Sequence, residues 1–173
     1  MGGYNFDNLL MAVAIATESG IDPIDIAAIL PRLTGAVGRL ESVRLGQNFT
    51  ALVDYAHSPD AVARVLETAH EITDGRVIAV LGCGGDRDRG KRAEMGRVAD
   101  QLADLVVVTS DNPRSESPEK IIDQVLLGIS RKVLAVADRR DAIRAAINAA
   151  AVDDIVLIAG KGHEAYQIVD AQR

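Results

Sequence analysis

Residues 76–92 read Arg76-Val77-Ile78-Ala79-Val80-Leu81-Gly82-Cys83-Gly84-Gly85-Asp86-Arg87-Asp88-Arg89-Gly90-Lys91-Arg92. That is a short apolar run, a glycine-rich polar loop and the start of a helix. The run from Arg76 to Leu81 is apolar at consecutive positions rather than alternate ones, the pattern of a strand whose two faces are both covered by helices. Working outward, comparable runs stand at Phe49 to Asp54, Leu105 to Ser110, Val133 to Ala137 and Ile155 to Ala159. Helices between them open at Ser58-Pro59, from Lys91 onward, at Ser117-Pro118, and at Asp138 before Arg139. A Ser or Asp side chain can take a free N–H of the first turn, and Pro suits the first helical position. The alternation predicts an α/β domain: a doubly wound, mostly parallel, Rossmann-like sheet with helices on both faces and right-handed crossovers. Ligands of such sheets collect at the carboxyl ends of the strands.

The first 36 residues have a different texture. Asn8 to Thr17 is apolar on every side, which predicts a helix buried all round, and Gly20 ends it. Asp22-Pro23 opens a second short helix that stops at Pro31, and Gly35-Ala36-Val37-Gly38 reads as a linker. Two helices with no strand between them cannot enclose Leu9, Leu10, Met11, Val13 and Ile15. Residues 1–36 are therefore expected to be a helical remnant of a preceding domain, and residues 37–173 a domain of their own.

Composition limits the function. Over 173 residues, 48% hydrophobic and 25% charged residues describe an ordinary globular chain, and 3% aromatics make its core aliphatic. A net charge of -6 disfavours nucleic acid as a partner, because that binding relies on displacing counterions with basic side chains. Cys83 is the single cysteine, so no internal disulfide forms, and one cysteine with three scattered histidines gives no zinc-ligand spacing. The longest apolar stretch, Leu9 to Ala16, is far below the roughly 20 residues that span a bilayer, and no basic-then-apolar leader opens the chain. The expectation is a cytoplasmic protein with no membrane partner.

The carboxyl ends of the candidate strands carry unusual loops. Asp54-Tyr55-Ala56-His57-Ser58-Pro59-Asp60 follows the first, and the glycine-rich loop from Gly82 follows the second. Asp111-Asn112-Pro113-Arg114 follows the third, and Gly160-Lys161-Gly162-His163-Glu164 the last. The Gly82 loop alone could cradle a phosphate, since freed N–H groups and a helix start favour anions. A dinucleotide fingerprint, however, would place a third glycine where Arg87 stands. Pro113 restricts its neighbour, so Asn112 and Arg114 should point in fixed directions. Arginine offers a planar fork to a carboxylate, and Glu164 offers the charge an ammonium needs. A rim with both suits a zwitterionic amino acid, although an isolated loop arginine more often pairs with a nearby acid such as Glu116. His57 and His163 are more often hydrogen-bond partners than acid–base groups in loops of this kind. His70 should lie at the surface, and Cys83 should pack rather than react.

At these residues the sequence resembles the Mur ligases of peptidoglycan synthesis, and within them the members that add diaminopimelate. Asp111-Asn112-Pro113-Arg114 matches that branch's diaminopimelate-recognition motif. Gly84-Gly85-Asp86-Arg87-Asp88, Gly90-Lys91-Arg92 and Gly160-Lys161-Gly162-His163-Glu164 match in order, and the resemblance covers essentially the whole chain. It implies that residues 1–36 belong to a central ATPase domain and 37–173 to the carboxy-terminal amino-acid-binding domain. It implies a site for meso-diaminopimelate: Arg87, Asn112 and Arg114 on its carboxylate, Glu164 and the carbonyl of Gly160 on its ammonium, and Asp111 beside them. It further implies nucleotide contacts from Asn5 and Asn8 of the Asn-x-x-Asn motif, from Arg39 and from Asp54; away from the rest of the enzyme, Arg39 and Asp54 are expected to face water. ATP and Mg2+ would serve the complete enzyme, with UDP-N-acetylmuramoyl-L-alanyl-D-glutamate as the acceptor.

The family's Gly-Lys-Thr/Ser ATP loop, its metal contacts and its carbamylated lysine have no counterpart here. Gly90-Lys91 is followed by Arg92, and Gly160-Lys161 by Gly162. The chain is accordingly expected to carry no catalytic and no metal-binding residue of its own, to hold ATP weakly if at all, and to be inactive alone. Two other classes compete: a non-catalytic amino-acid-binding regulatory module, which would bind its ligand tightly, and an NAD-binding oxidoreductase domain.

Overall fold

The structure, a computed structural model, describes residues 3–33 and 35–170, with side chains from Phe6 onward. It divides into two compact units, Met1–Ala36 and Val37–Arg173.

The first unit holds α1 (Gly3–Glu18), α2 (Pro23–Ile29) and a 3-10 turn, Leu30–Arg32. Asp22 caps α2 by accepting from Ile24 N at 2.8 Å, with Pro23 at the first helical position. The first helix is not enclosed within this unit, as two helices with no strand between them would leave it. Phe6, Leu10, Met11 and Ile15 of α1 are all more than half exposed, as is Ile24 of α2. Two short helices have too little surface to cover one another's apolar side chains.

The second unit is built on a six-stranded sheet in the order β1-β2-β6-β3-β4-β5: β1 (Glu41–Val43), β2 (Thr50–Asp54), β3 (Val77–Leu81), β4 (Leu105–Thr109), β5 (Leu134–Val136) and β6 (Ile155–Ala159). β1 pairs antiparallel with β2, and every other pairing is parallel. Between the strands run α3 (Pro59–Glu71), α4 (Gly90–Leu102), α5 (Pro118–Leu126) and α6 (Arg139–Ala149). Helix α4 packs on both α3 and α5, while α6 covers β3 and β4 through Ala142 and Ala146, which sit in one cluster with Ile78, Val80, Val107 and Val156. With layers on both faces, all five residues of β3 are buried. Ser58, Ser117 and Asp138 each cap the helix that follows them.

β6 lies between β2 and β3, so the chain returns from the far edge of the sheet to its middle. That crossing sets the carboxyl ends of β2, β6, β3 and β4 side by side. Asp154 fixes the opposite end: its carboxylate accepts from Arg76 N at 2.9 Å, Arg76 Nη2 at 2.6 Å and Ala151 N at 2.8 Å. The Arg76 guanidinium holds the Asp154 carboxyl down to about 2.

Candidate functional site

A cavity of about 260 Å³ opens at the carboxyl ends of these strands. Its wall includes Arg87, Asp111, Asn112, Arg114, Gly160 and Glu164, so the loops after β3, β4 and β6 converge there. Tyr55, His57 and Lys91 complete its rim. The volume lies just below the usual range for small-molecule sites, as a compact polar ligand requires.

The glycines of the β3 loop allow backbones to approach. A Cβ on Gly85 would lie 1.8 Å from the carbonyl oxygen of Pro113, and Gly85 N donates to Asn112 O at 2.8 Å. The glycine pattern thus serves the contact between the β3 and β4 loops. Arg92 and Glu116 lock the same contact. Arg92 is fully buried; it donates to both Glu116 oxygens, at 2.9 and 3.0 Å, to Gln124 Oε1 at 2.7 Å and to Gly84 O at 3.0 Å. Glu116 also accepts from Asp86 N at 2.7 Å and pairs with Arg89 at 3.3 Å. The Arg92 hydrogen bonds hold the Glu116 carboxyl down to about 2. Glu116 is therefore committed to Arg92 and Arg89, and the Arg114–Glu116 pairing weighed from sequence does not form.

Arg114 takes a left-handed backbone, φ 53°, unusual for a residue with a side chain. The chain after β6 holds it there: Arg114 N donates to Ile168 O and Asp170 N to Arg114 O, both at 2.9 Å. Its Nη1 donates to Gly85 O at 2.7 Å and Asn112 O at 3.3 Å. Among the described residues no carboxylate lies within ion-pair distance of Arg114 or Arg87. Two guanidinium groups thus line the cavity without an acidic partner.

The opposite wall is acidic. Glu164 Oε2 accepts from Asn112 Nδ2 and from Lys161 Nζ, each at 3.2 Å. Burial pushes the Glu164 carboxyl up, yet the hydrogen bonds from Asn112 and Lys161 outweigh it and leave the group below its ordinary range. Gly160 has φ 109°, and a Cβ there would sit 2.6 Å from Asp111 Oδ2. Gln167 and Ile168 brace the β4 loop: Gln167 Nε2 donates to Asp111 O at 2.5 Å and Ile168 N to Asn112 Oδ1 at 2.9 Å.

The other candidates fare differently. Asp54 does not face water: it is 3% exposed, with Oδ2 accepting from Leu40 N at 2.8 Å and Oδ1 from Ala56 N at 2.7 Å. Its carboxylate folds the β2 loop against the turn at Leu40. Arg39 is exposed and sits 4.8 Å above the ring of Tyr55, which also meets the rings of His57 at 4.8 Å and His163 at 6.1 Å. Asn8 is exposed on α1; Asn5 falls in the same helix, its side chain outside the described residues. His57 Nδ1 lies 2.8 Å from Tyr55 O, and His70, at the surface, lies 2.7 Å from Leu102 O. Cys83 is buried against Met95, and burial pushes its thiol up to about 11. Among the described residues no three His, Cys, Asp or Glu side chains gather as a metal would need, and no helix is long and apolar enough to cross a membrane.

Sequence reasoning missed Arg92 and Lys161 as organisers. Arg92 had a signal: it falls on the stripe Arg92, Met95, Gly96 and Ala99, whose other members are buried. Lys161 had none, because a lysine between two glycines reads equally well as solvated.

A parallel sheet with an amino-acid-sized, two-signed cavity at its strand ends defines a ligand-binding α/β domain, and comparison with known proteins gives the family. The model described as "Mur ligase, glutamate ligase domain" matches residues 38–162. The chain belongs to the Mur ligase family. It is 47% identical over 99% of its length to a UDP-N-acetylmuramoyl-L-alanyl-D-glutamate–2,6-diaminopimelate ligase of Syntrophomonas wolfei, and 48% identical over 98% to the enzyme of that name from Bacillus cereus. A solved structure of such a ligase superposes with a TM-score of 0.76 at 42% identity, covering 99% of this chain and 36% of that one. A folylpolyglutamate synthase of Mycobacterium tuberculosis, solved with ADP and AMPPCP, superposes over 73% of this chain and 30% of its own, with a TM-score of 0.57 at 26% identity. The chain spans 36% of the length of the S. wolfei relative and 35% of the B. cereus one.

Proposed function

We propose that this chain is the amino-acid-binding domain of an ATP-dependent ligase that adds meso-diaminopimelate to UDP-N-acetylmuramoyl-L-alanyl-D-glutamate, a cytoplasmic step of peptidoglycan precursor synthesis. The observation that carries the reading is the pair of guanidinium groups, Arg87 and Arg114, facing Glu164 across one cavity with no carboxylate of their own. Diaminopimelate has an amino-acid group at each end, so one end can be gripped while the amine of the other reacts. Arg87, Arg114 and Asn112 Nδ2 donate to the gripped carboxylate. Glu164, whose Oε1 takes no hydrogen bond among the described residues, and the Gly160 carbonyl accept from the gripped ammonium.

In the proposed reaction ATP phosphorylates the side-chain carboxylate of the D-glutamyl residue, because a free carboxylate is a poor electrophile. The free amine of diaminopimelate attacks the acyl phosphate; the C–N bond forms, the C–O bond to phosphate breaks, and the nitrogen gives up a proton. This domain's share is binding and orientation, which by themselves lower a bimolecular barrier substantially. Arg39 is the nucleotide contact that the second unit would supply, and Asn5 and Asn8 are those of the first unit. Asp54 accepts one backbone N–H on each oxygen, which shapes the β2 loop and leaves lone pairs for the nucleotide contact proposed for it. The described residues offer no ligand set for Mg2+.

L-lysine lacks the second carboxylate and would leave Arg114 desolvated and unpaired. A site built around a polar group can reject an analogue lacking it by about 10⁴-fold or more. Calorimetric titration of the chain with meso-diaminopimelate and with L-lysine, each to millimolar concentration, tests the reading. Saturable heat with diaminopimelate alone is expected; equal heats with both would refute it. The competing regulatory module predicts tight binding of the amino acid by the chain alone, so submicromolar affinity would favour that reading instead.

A further inference from the structure

We propose that Lys161 is a positioning residue, whose buried ammonium sets Asn112 and Glu164 in the arrangement that receives the ammonium of a gripped amino-acid end. The inference rests on the amino-acid-binding reading and assigns Lys161 a part in it. Lys161 does not line the cavity but an adjoining recess, with Arg139, Arg140 and Tyr166; Glu164 lines both, and Asp111 and Asn112 the cavity alone, so the lysine stands behind the wall a ligand would touch. Its side chain is 9% exposed. Nζ donates to Asn112 Oδ1 at 2.8 Å and Glu164 Oε2 at 3.2 Å, and lies 3.8 Å from Asp111 Oδ1.

Two consequences follow. Asn112 Oδ1 accepts from both Lys161 Nζ and Ile168 N, which fixes the amide so that its NH2 faces Glu164 and the cavity. Lys161 also places one positive charge among two carboxylates, so the trio keeps one net negative charge for a ligand ammonium. Without the lysine, Asp111 and Glu164 would oppose each other as like charges in a partly buried setting.

The groups around Glu164 are Lys161 and His163 on its own loop, Asp111, Asn112 and Arg114 on the β4 loop, Arg87 and Lys91 of the β3 loop and the start of α4, His57 of the β2 loop, and Arg139 and Arg140 at the start of α6. Of these, Asn112, Lys161 and His163 counter the burial that raises the carboxyl. Removing Lys161 leaves burial opposed only by Asn112 and His163, so the Glu164 carboxyl moves up and takes up a proton at a higher pH than in the wild type. Protonated Glu164 cannot neutralise an ammonium, so recognition of that group becomes pH-dependent in the variant and stays flat in the wild type.

The test uses the 173-residue chain. The probes are meso-diaminopimelate and pimelate, which keeps both carboxylates and has no amine at either end. Their affinities are measured at about pH 7.5 and about pH 5.5, alongside a ligand-free carboxyl-carbon NMR titration of Glu164. The wild type is expected to prefer diaminopimelate by about tenfold or more at both pH values, the worth of a hydrogen-bonded charge. Lys161→Met is expected to prefer it by less than about threefold at the higher pH and not at all at the lower, with Lys161→Arg restoring the preference. If Lys161→Met does not fold, Lys161→Gln, which keeps a donor without the charge, is read in the same way. A Lys161→Met variant with the wild-type preference at both pH values overturns the proposal. If the wild type binds neither probe, the amino-acid reading fails. The ligand-free titration then still decides on Lys161, because an unmoved Glu164 carboxyl in the variant overturns its role.

Discussion

Replacing Arg114 with glycine separates what the residue does for the fold from what it does for a ligand. Its left-handed backbone, φ 53°, costs a residue with a side chain roughly 1–2 kcal/mol. Glycine relieves that cost but adds about 0.4–1 kcal/mol of unfolded-state freedom. The substitution also deletes the bonds from Nη1 to Gly85 O and Asn112 O, at about 0.5–1.5 kcal/mol each in this half-exposed setting. The backbone bonds to Ile168 and Asp170 survive. The sum runs from near zero to a loss of about 3 kcal/mol, or a fall in Tm below about 12 °C for a chain of this size. Binding should change far more: losing a guanidinium that faces a carboxylate costs about 1.5–3 kcal/mol, roughly ten- to over a hundredfold in affinity for diaminopimelate. Thermal denaturation and calorimetric titration of Arg114→Gly measure the two effects side by side. A collapse of Tm by 15 °C or more, or an unchanged affinity, would refute the reasoning.

Other residues give sharper structural tests. The Asp154 carboxyl sits at about 2 in the folded chain, below its unfolded value of roughly 3.9. Its contribution is therefore full above about pH 5 and lost as the pH falls from about 4 towards 2; melts across that range should fall less steeply for Asp154→Asn than for the wild type. Arg92→Leu should lower the urea midpoint well beyond Arg144→Leu, because Arg92 is fully buried with its partners whereas the Arg144–Asp141 pair is exposed. With its thiol raised to about 11 and buried, Cys83 should react with iodoacetamide at about pH 8 at least tenfold more slowly in the folded chain than in the denatured one.

The fold was legible wherever burial and capping leave a mark on the sequence. β2 to β6 fall within a residue of the apolar runs at each end, and Ser58, Ser117 and Asp138 cap the helices they announce. β1 was not legible. Glu41–Val43 has no apolar run, and only its pairing with β2 makes it a strand. The four site loops stood out because strand ends in a doubly wound sheet are where ligands bind; the six residues named for the amino acid line one cavity, whereas Arg39 and Asp54 do not. Which charge meets which was beyond reach. Glu116 turned to Arg92, Asp54 accepted from backbone N–H groups, and Lys161 was drawn between Asn112 and Glu164, all through contacts between distant segments. The all-round apolarity of α1 calls for burial inside a larger body, and α2 is too short to supply it.

The central claim, that Arg87 and Arg114 grip the carboxylate of a two-ended amino acid, is tested most directly by NMR of the arginine side-chain N–H groups. The labelled chain would be titrated with meso-diaminopimelate and, separately, L-lysine. The account predicts saturable shifts of the Arg87 and Arg114 signals with diaminopimelate only, while the exposed Arg144 stays still. Equal shifts with both ligands, or saturable diaminopimelate binding that leaves Arg87 and Arg114 unmoved, would contradict it.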